Sequence, residues 1–181
     1  MTEDRLSDRD WVNAGLLALA DTGFTALKAA PLAARLKVSR GSFYWHFADV
    51  AAFHDAVLRR WGRIAFETVV STIESRPEDR LRSLLFQAFR ADTRLERAVR
   101  AWATADPAAR AAVAEVDRRR LDYLERLLAD AGLQRGAAHL RARILNWAYL
   151  GHVLSAEDGA AEVAQDLLAE LWRLARMPPQ A

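Results

Sequence analysis

The run Ser39-Arg40-Gly41-Ser42-Phe43-Tyr44-Trp45-His46-Phe47 gathers hydrogen-bond donors and aromatic rings in one short segment. Wound as an α-helix, it turns Phe43 and Phe47 inward together, because they are four residues apart. Gly41, Ser42 and Trp45 then face away from the core, with Tyr44 and His46 on either flank and Arg40 in the first turn. A merely solvated helix has no use for that outward set, but a DNA groove does. A guanidinium pairs bidentately with guanine, serine and histidine bond phosphate or base edges, and ring edges pack on a thymine methyl. The glycine permits close approach, and free N–H groups at the helix start favour phosphate. One rival fits the same pattern: an aromatic patch at a domain interface.

Other chemistries find little support. There is no cysteine, so thiol nucleophiles, disulfides and thiolate metal sites are all excluded. His46, His54, His139 and His152 form no HExxH-type pair, and no Glu-x-x-His pair, phosphate loop or Gly-x-Ser-x-Gly elbow occurs. The expectation is a protein that is not an enzyme and needs no metal or cofactor. With 52% hydrophobic and 28% charged residues in 181, the chain reads as soluble and globular. No apolar run suggests a membrane span and the N-terminus has no apolar signal region, so a cytoplasmic location is expected. Net charge is only +2, and residues 1–60 hold eight basic against seven acidic residues. Bulk charge therefore argues weakly for nucleic acid, and local arrangement must carry that case.

The elements that must position these residues are helical throughout. Apolar periodicity near 3.6 predicts about nine helices, near 8–21, 29–36, 39–47, 49–74, 78–91, 94–104, 108–131, 137–155 and 159–176. Gly23 and Gly132 are the stops after the first and seventh, and Pro77 and Pro178-Pro179 end the fourth and ninth. Pro31 is tolerable in the first turn of the second. Ser39 suits an N-cap, and Lys37 occupies a turn position where a left-handed conformation favours glycine. The fold class is all-α: a three-helix helix-turn-helix over residues 1–48, then a helical bundle over 49–181.

The segment is similar to the N-terminal domain of the tetracycline-repressor (TetR) family. The matching residues are the apolar first helix ending at Gly23, then Leu32-Ala33, then Val38 through Phe47, with Tyr44-Trp45-His46-Phe47 the most specific part. The resemblance implies that the third helix enters the major groove. It implies that Tyr44 and His46 touch the phosphate backbone, with Arg40, Gly41, Ser42 and Trp45 nearest the bases. Lys28 takes a position where the family often has a hydroxyl residue on phosphate, and Ser39 opens the helix. Val50 stands where the family usually has a lysine, Lys37 replaces the usual turn glycine, and Pro31 is atypical. Arg5 and Arg9 flank the first helix and either add backbone contacts or are solvated.

The bundle helices carry two apolar stripes each. In the eighth these are Leu140, Ile144, Trp147, Gly151, Leu154 and Leu145, Tyr149, Val153; in the ninth, Val163, Leu167, Leu171, Leu174 and Ala164, Leu168, Trp172, Ala175. One stripe faces the bundle and the other needs a partner, most simply a second copy. A monomer with a larger core is the alternative. For a small apolar or acidic effector the candidate contacts are Phe89, Trp102, Arg120, Tyr123 and Trp147, although each aromatic also reads as ordinary core. Arg120 falls inside the Val113–Val116–Leu124–Leu127 stripe and needs a partner there, either Asp117 or an anionic effector. The whole reads as a ligand-responsive repressor binding a pseudo-palindromic operator as a homodimer through the eighth and ninth helices. A regulator with no small-molecule effector, answering to a protein partner, stands beside it.

Overall fold

The computed structural model describes residues 6–75, 79–155 and 165–177. Among them every regular element is helical and none is a strand. Arg5, Pro77, Val163, Ala164 and the Pro178-Pro179 stop lie outside the described residues. The order is α1 (Asp8–Thr22), a 3-10 turn (Phe24–Ala26), α2 (Ala29–Leu36), α3 (Arg40–His46), α4 (Val50–Gly62), a π-helical stretch (Arg63–Thr68) and α5 (Val69–Glu74). Then come α6 (Arg80–Arg90), α7 (Arg94–Ala103), α8 (Pro107–Asp130), α9 (Arg135–Ser155) and α10 (Gln165–Arg176). The fourth predicted helix is thus two α-helices with a π-helical stretch between them. Hydrophobic spacing does not report the change from i→i+4 to i→i+5 bonding. The eighth and ninth predicted helices are α9 and α10.

The chain divides into two compact units: residues up to 64 with 94–113, and 65–93 with 114–181. The first unit therefore extends beyond the expected residues 1–48. Two features account for this. Phe53, Val57 and Trp61 of α4 are fully buried or nearly so, and α7 returns to pack along α1.

In the first unit, Ser7 opens α1 with a reciprocal capping box. Its hydroxyl accepts from the Asp10 N–H, and the Asp10 carboxylate accepts from the Ser7 N–H at 2.8 Å. The Ser7 hydroxyl, donating to the same carboxylate, is the main reason Asp10 titrates below the ordinary aspartate range. Gly23, at φ +88°, ends the helix in a conformation that side chains rarely adopt. Between α2 and α3 the left-handed turn falls on Lys37, at φ 56° and ψ 39°, as the missing glycine foretold. The Val38 N–H donating to the Ala33 carbonyl closes that turn. The core gathers on Phe43, whose ring lies 5.4 Å edge-on from Trp11 and 5.3 Å from Phe53. Such edge-to-face pairs add to plain burial and fix the angle between the short helices.

The second unit packs α5, α6, α9, α10 and the later part of α8 around Ile73, Leu85, Phe89, Leu128, Leu145 and Leu168. Gly132 (φ +94°) stops α8, with the Leu133 N–H donating to the Leu128 carbonyl. Arg141 donates to the carbonyls of Leu174 and Met177, satisfying acceptors that the end of α10 leaves open. Among the described residues no helix is long and apolar enough to cross a membrane.

Candidate nucleic-acid interface

Helix α3 is short, and its two sides differ sharply. Phe43 is completely buried, and Phe47 just beyond the helix is nearly so. On the other side Trp45 is 82% exposed and Tyr44 47%. Burying an indole is among the larger apolar gains open to a chain, so a tryptophan held out in water on a rigid helix is available to a partner. Around it the surface is polar. Arg40 is exposed with its guanidinium 5.9 Å from the centre of the Tyr44 ring, Gly41 is exposed, and Ser42 is half-buried. A Cβ built on Gly41 would meet only the Ser39 hydroxyl, at 3.7 Å, so the space above this turn is open toward an approaching ligand.

Ser39 occupies the N-cap position, but its side chain makes no capping hydrogen bond. The expectation of a serine cap is met in backbone and not in the hydroxyl, which leaves the first N–H groups of α3 and that hydroxyl available together. Lys28, also exposed, takes the N-cap position of α2 without capping it. Ser39, Arg40, Gly41, Ser42, Tyr44 and Trp45 thus share one helix and its start, and Lys28 presents an ammonium at the start of the preceding helix.

His46 is placed differently from its neighbours. Its Nδ1 lies 2.7 Å from the Asp8 carboxylate, and its side chain is only 15% exposed. The ring also sits 6.2 Å from Trp11. A carboxylate on one ring nitrogen fixes the imidazole's orientation and tautomer, so Asp8 governs which way the other nitrogen points. Sequence reasoning missed Asp8, since the pair is separated by almost the whole helix-turn-helix. At Val50, where the resembling family carries a cation, α4 begins with an Asp49 cap accepting from the Ala52 N–H at 2.7 Å.

The five candidate effector contacts fall in both compact units. Trp102 belongs to the first unit, stacked on Phe24 at 4.8 Å. Trp147 is 59% exposed on α9. In the second unit Arg120 lies 3.6 Å from Asp117 and donates to the Ala65 carbonyl at 3.3 Å. Its guanidinium also stands 5.2 Å over the Tyr149 ring. Tyr149 in turn meets Phe89 at 6.1 Å. Tyr149, which the sequence reads both as part of an apolar stripe and as an aromatic able to line a pocket, is therefore the residue that joins Arg120 to Phe89. Tyr123 is anchored elsewhere: its hydroxyl donates to Glu74 at 2.7 Å. Burial first, and then that carboxylate, push the phenol above its ordinary range. Among the described residues no group of histidine and acidic side chains is gathered to hold a metal ion.

Residues 12–57 match the family described as bacterial regulatory proteins, tetR family. No curated protein matches the sequence. Two solved structures are similar over almost the whole chain. One is described as the multidrug binding protein EbrR complexed with imidazole: TM-score 0.61, 24% identity, covering 98% of each chain. The other is the ketosteroid transcriptional regulator KstR2 of Mycobacterium tuberculosis: TM-score 0.58, 16% identity, covering 97% of this chain and 95% of that one. The chain has the fold of a tetR-family DNA-binding transcriptional regulator, with a helix-turn-helix at its N-terminus and a helical C-terminal domain.

Proposed function

We propose, from an N-terminal domain of the tetR family of bacterial regulatory proteins, that this chain is a ligand-responsive repressor acting as a homodimer on a pseudo-palindromic operator. The observation that carries the DNA reading is the outward face of α3, where exposed Trp45 and Tyr44 are interleaved with Arg40, Ser42 and Gly41 while Phe43 is fully buried. In this reading Arg40 and Trp45 reach base edges, whereas Lys28, Ser39, Tyr44 and His46 grip phosphate and set the register. Two copies place two such helices in major grooves about one helical turn apart. The dimer reading rests on α9 and α10: Leu140, Ile144, Trp147 and Leu154 on the first and Leu167 and Leu174 on the second are all exposed. Their opposite faces, Leu145 and Val153 on α9 and Leu168 and Ala175 on α10, are buried.

An effector is supported by the surroundings of Arg120 and by the neighbours' descriptions as multidrug binding and ketosteroid regulator. The proposed ligand is a small apolar or acidic molecule contacting Phe89, Arg120 and Tyr149. To act, it must bind two states of the protein with different affinity. A gel-shift with the DNA upstream of the chain's own coding sequence tests the operator reading. A retarded species that disappears with Trp45→Ala is expected; an intact dimer that shifts no DNA at low salt sinks it. A thermal-shift screen tests the effector, since a ligand at about 100 times its Kd adds about 2.7 kcal/mol of stability. Full response by Arg120→Met excludes the Arg120 contact.

A further inference from the structure

A second basic surface lies in the first unit, on the side of α1 and α4, and meets the α3 face only at His46. An open groove of about 690 Å³ is lined by Asp8, Arg9, Val12 and Asn13 of α1 and by His46, Phe47, Ala48, Ala52 and Ala56. Arg59, Arg60 and Arg63 complete it. Ala48 before α4 and Ala52 and Ala56 on it line the groove with small side chains that let a ligand lie close to backbone. Four arginines stand around it against one carboxylate, Asp8, which is already engaged by His46.

These arginines differ from many others in the chain. Arg80, Arg100, Arg118 and Arg173 each meet a carboxylate within 3.0 Å. Arg9, Arg59, Arg60 and Arg63 have no ion pair among the described residues. Arg59 and Arg63 are also i and i+4 neighbours, a like-charge arrangement that works against a helix unless an anion relieves it. A helix C-terminus does not explain it, because the chain continues helically through Arg63–Thr68. Finally, Arg60 also lines the groove, and its buried Nε has no hydrogen-bond partner among the described residues.

We infer that this groove is a phosphate-binding site, built to take a ligand with at least two phosphate groups along Arg59, Arg60, Arg63 and Arg9. The phosphates come either from a DNA strand running past the half-site or from a free organic polyphosphate. An open groove lined by small side chains suits an extended chain of phosphates better than an enclosed small molecule.

The test compares wild type with Arg59→Gln/Arg63→Gln and with a charge-matched control, Arg82→Gln/Arg90→Gln. The control arginines are exposed in the second unit, against Phe86. Inorganic pyrophosphate is titrated calorimetrically without DNA. Binding of a labelled duplex of arbitrary sequence is measured over a range of salt. Saturable pyrophosphate binding, weakened tenfold or more by the Arg59/Arg63 change but not by the control, supports the site with a free phosphate ligand. A fall of about two in the salt slope, at about 0.9 per phosphate contact, seen in that variant and not in the control, supports it with DNA as the source. No pyrophosphate binding together with equal slopes in both variants overturns it. So does pyrophosphate binding that both variants share, when the slopes are also equal. Thermal melts confirm that the variants fold, and Arg60→Met repeats the comparison from the buried side. Because the pyrophosphate arm uses no DNA, failure of the operator reading is seen separately.

Discussion

Two parts of the surface hold tryptophan out in water, and they are of opposite kinds. On α3, Trp45 stands beside Tyr44, Arg40, Ser42 and a glycine, so ring and donor alternate. On α9, Trp147 stands in line with Leu140, Ile144 and Leu154, with Leu167 and Leu174 on α10 exposed as well. The first face offers hydrogen bonds that only a polar partner can return, and apolar contact alone would leave those donors unpaired. The second offers mainly area, which another apolar face can cover without penalty. Exposure by itself does not distinguish them. What does is the balance of neighbours on the helix: donors predominate around Trp45, as a nucleic acid requires, whereas Trp147, with the one guanidinium of Arg143 over its ring, lies in a stripe of aliphatics that suits an apolar face.

The largest effect should come from the buried side of α3. Phe43→Ala should cost about 3–5 kcal/mol of stability, read as a fall in melting temperature with the helix content lost together. A variant that melts like wild type would mean that α3 is not held by its inner face. Next, Ile144→Asp with Trp147→Asp should break self-association while leaving the subunit folded. The change acts twice in a two-fold interface, so a loss above about 2 kcal/mol per subunit is expected, measured by sedimentation equilibrium. Unaltered association would move the partner to another surface.

Arg40→Ala should weaken operator binding by about 1–3 kcal/mol and relax base preference at one position. It should leave the melting temperature and the oligomeric state unchanged. Tyr44→Phe should weaken binding less, by about 1 kcal/mol, and equally on all sequences. If Arg40→Ala weakened every sequence alike, Arg40 would be a phosphate contact rather than a reader.

The smallest effect serves as a control on both faces. Hydrogen bonding from Tyr123 and then Arg80 holds the Glu74 carboxyl below the ordinary value of 4.5. A carboxylate whose folded pKa is depressed adds stability that is complete above its unfolded pKa and is lost as pH falls through the folded one. Glu74→Gln should therefore flatten the acid side of the stability profile, below about pH 4.5, and change neither association nor DNA binding at neutral pH. A neutral-pH effect on either would show that the Glu74–Tyr123–Arg80 contact reaches one of the two faces.

Much of this was legible in the sequence, and particular residues show why. Trp45, Phe43 and Phe47 sort themselves by spacing alone, because a helix of 3.6 residues per turn leaves no freedom in which face each takes. Leu140-Ile144-Trp147 and Leu145-Val153 separate into exposed and buried stripes for the same reason. The exposed candidate residues of α3 were legible because they are local, all on one short helix. His46–Asp8 was not, since nothing in a periodic pattern pairs residues that far apart. The effector candidates scattered for a related reason: aromatic type does not say to which unit a residue belongs, and Trp102 went with α1 rather than with Phe89.

The sequence by itself determined the all-α class, most helix boundaries among the described residues, the inner and outer faces of α3 and the turn at Lys37, since each depends on short-range sterics and hydrophobic period. Only the tertiary structure decided that α7 belongs with the helix-turn-helix and that a π-helical stretch occupies Arg63–Thr68. It alone joined Arg120 to Phe89 through Tyr149 and ranged Arg9 with Arg59, Arg60 and Arg63 around one groove. Those outcomes depend on which distant helices meet, and that is settled by packing complementarity over the whole chain rather than by any window of it.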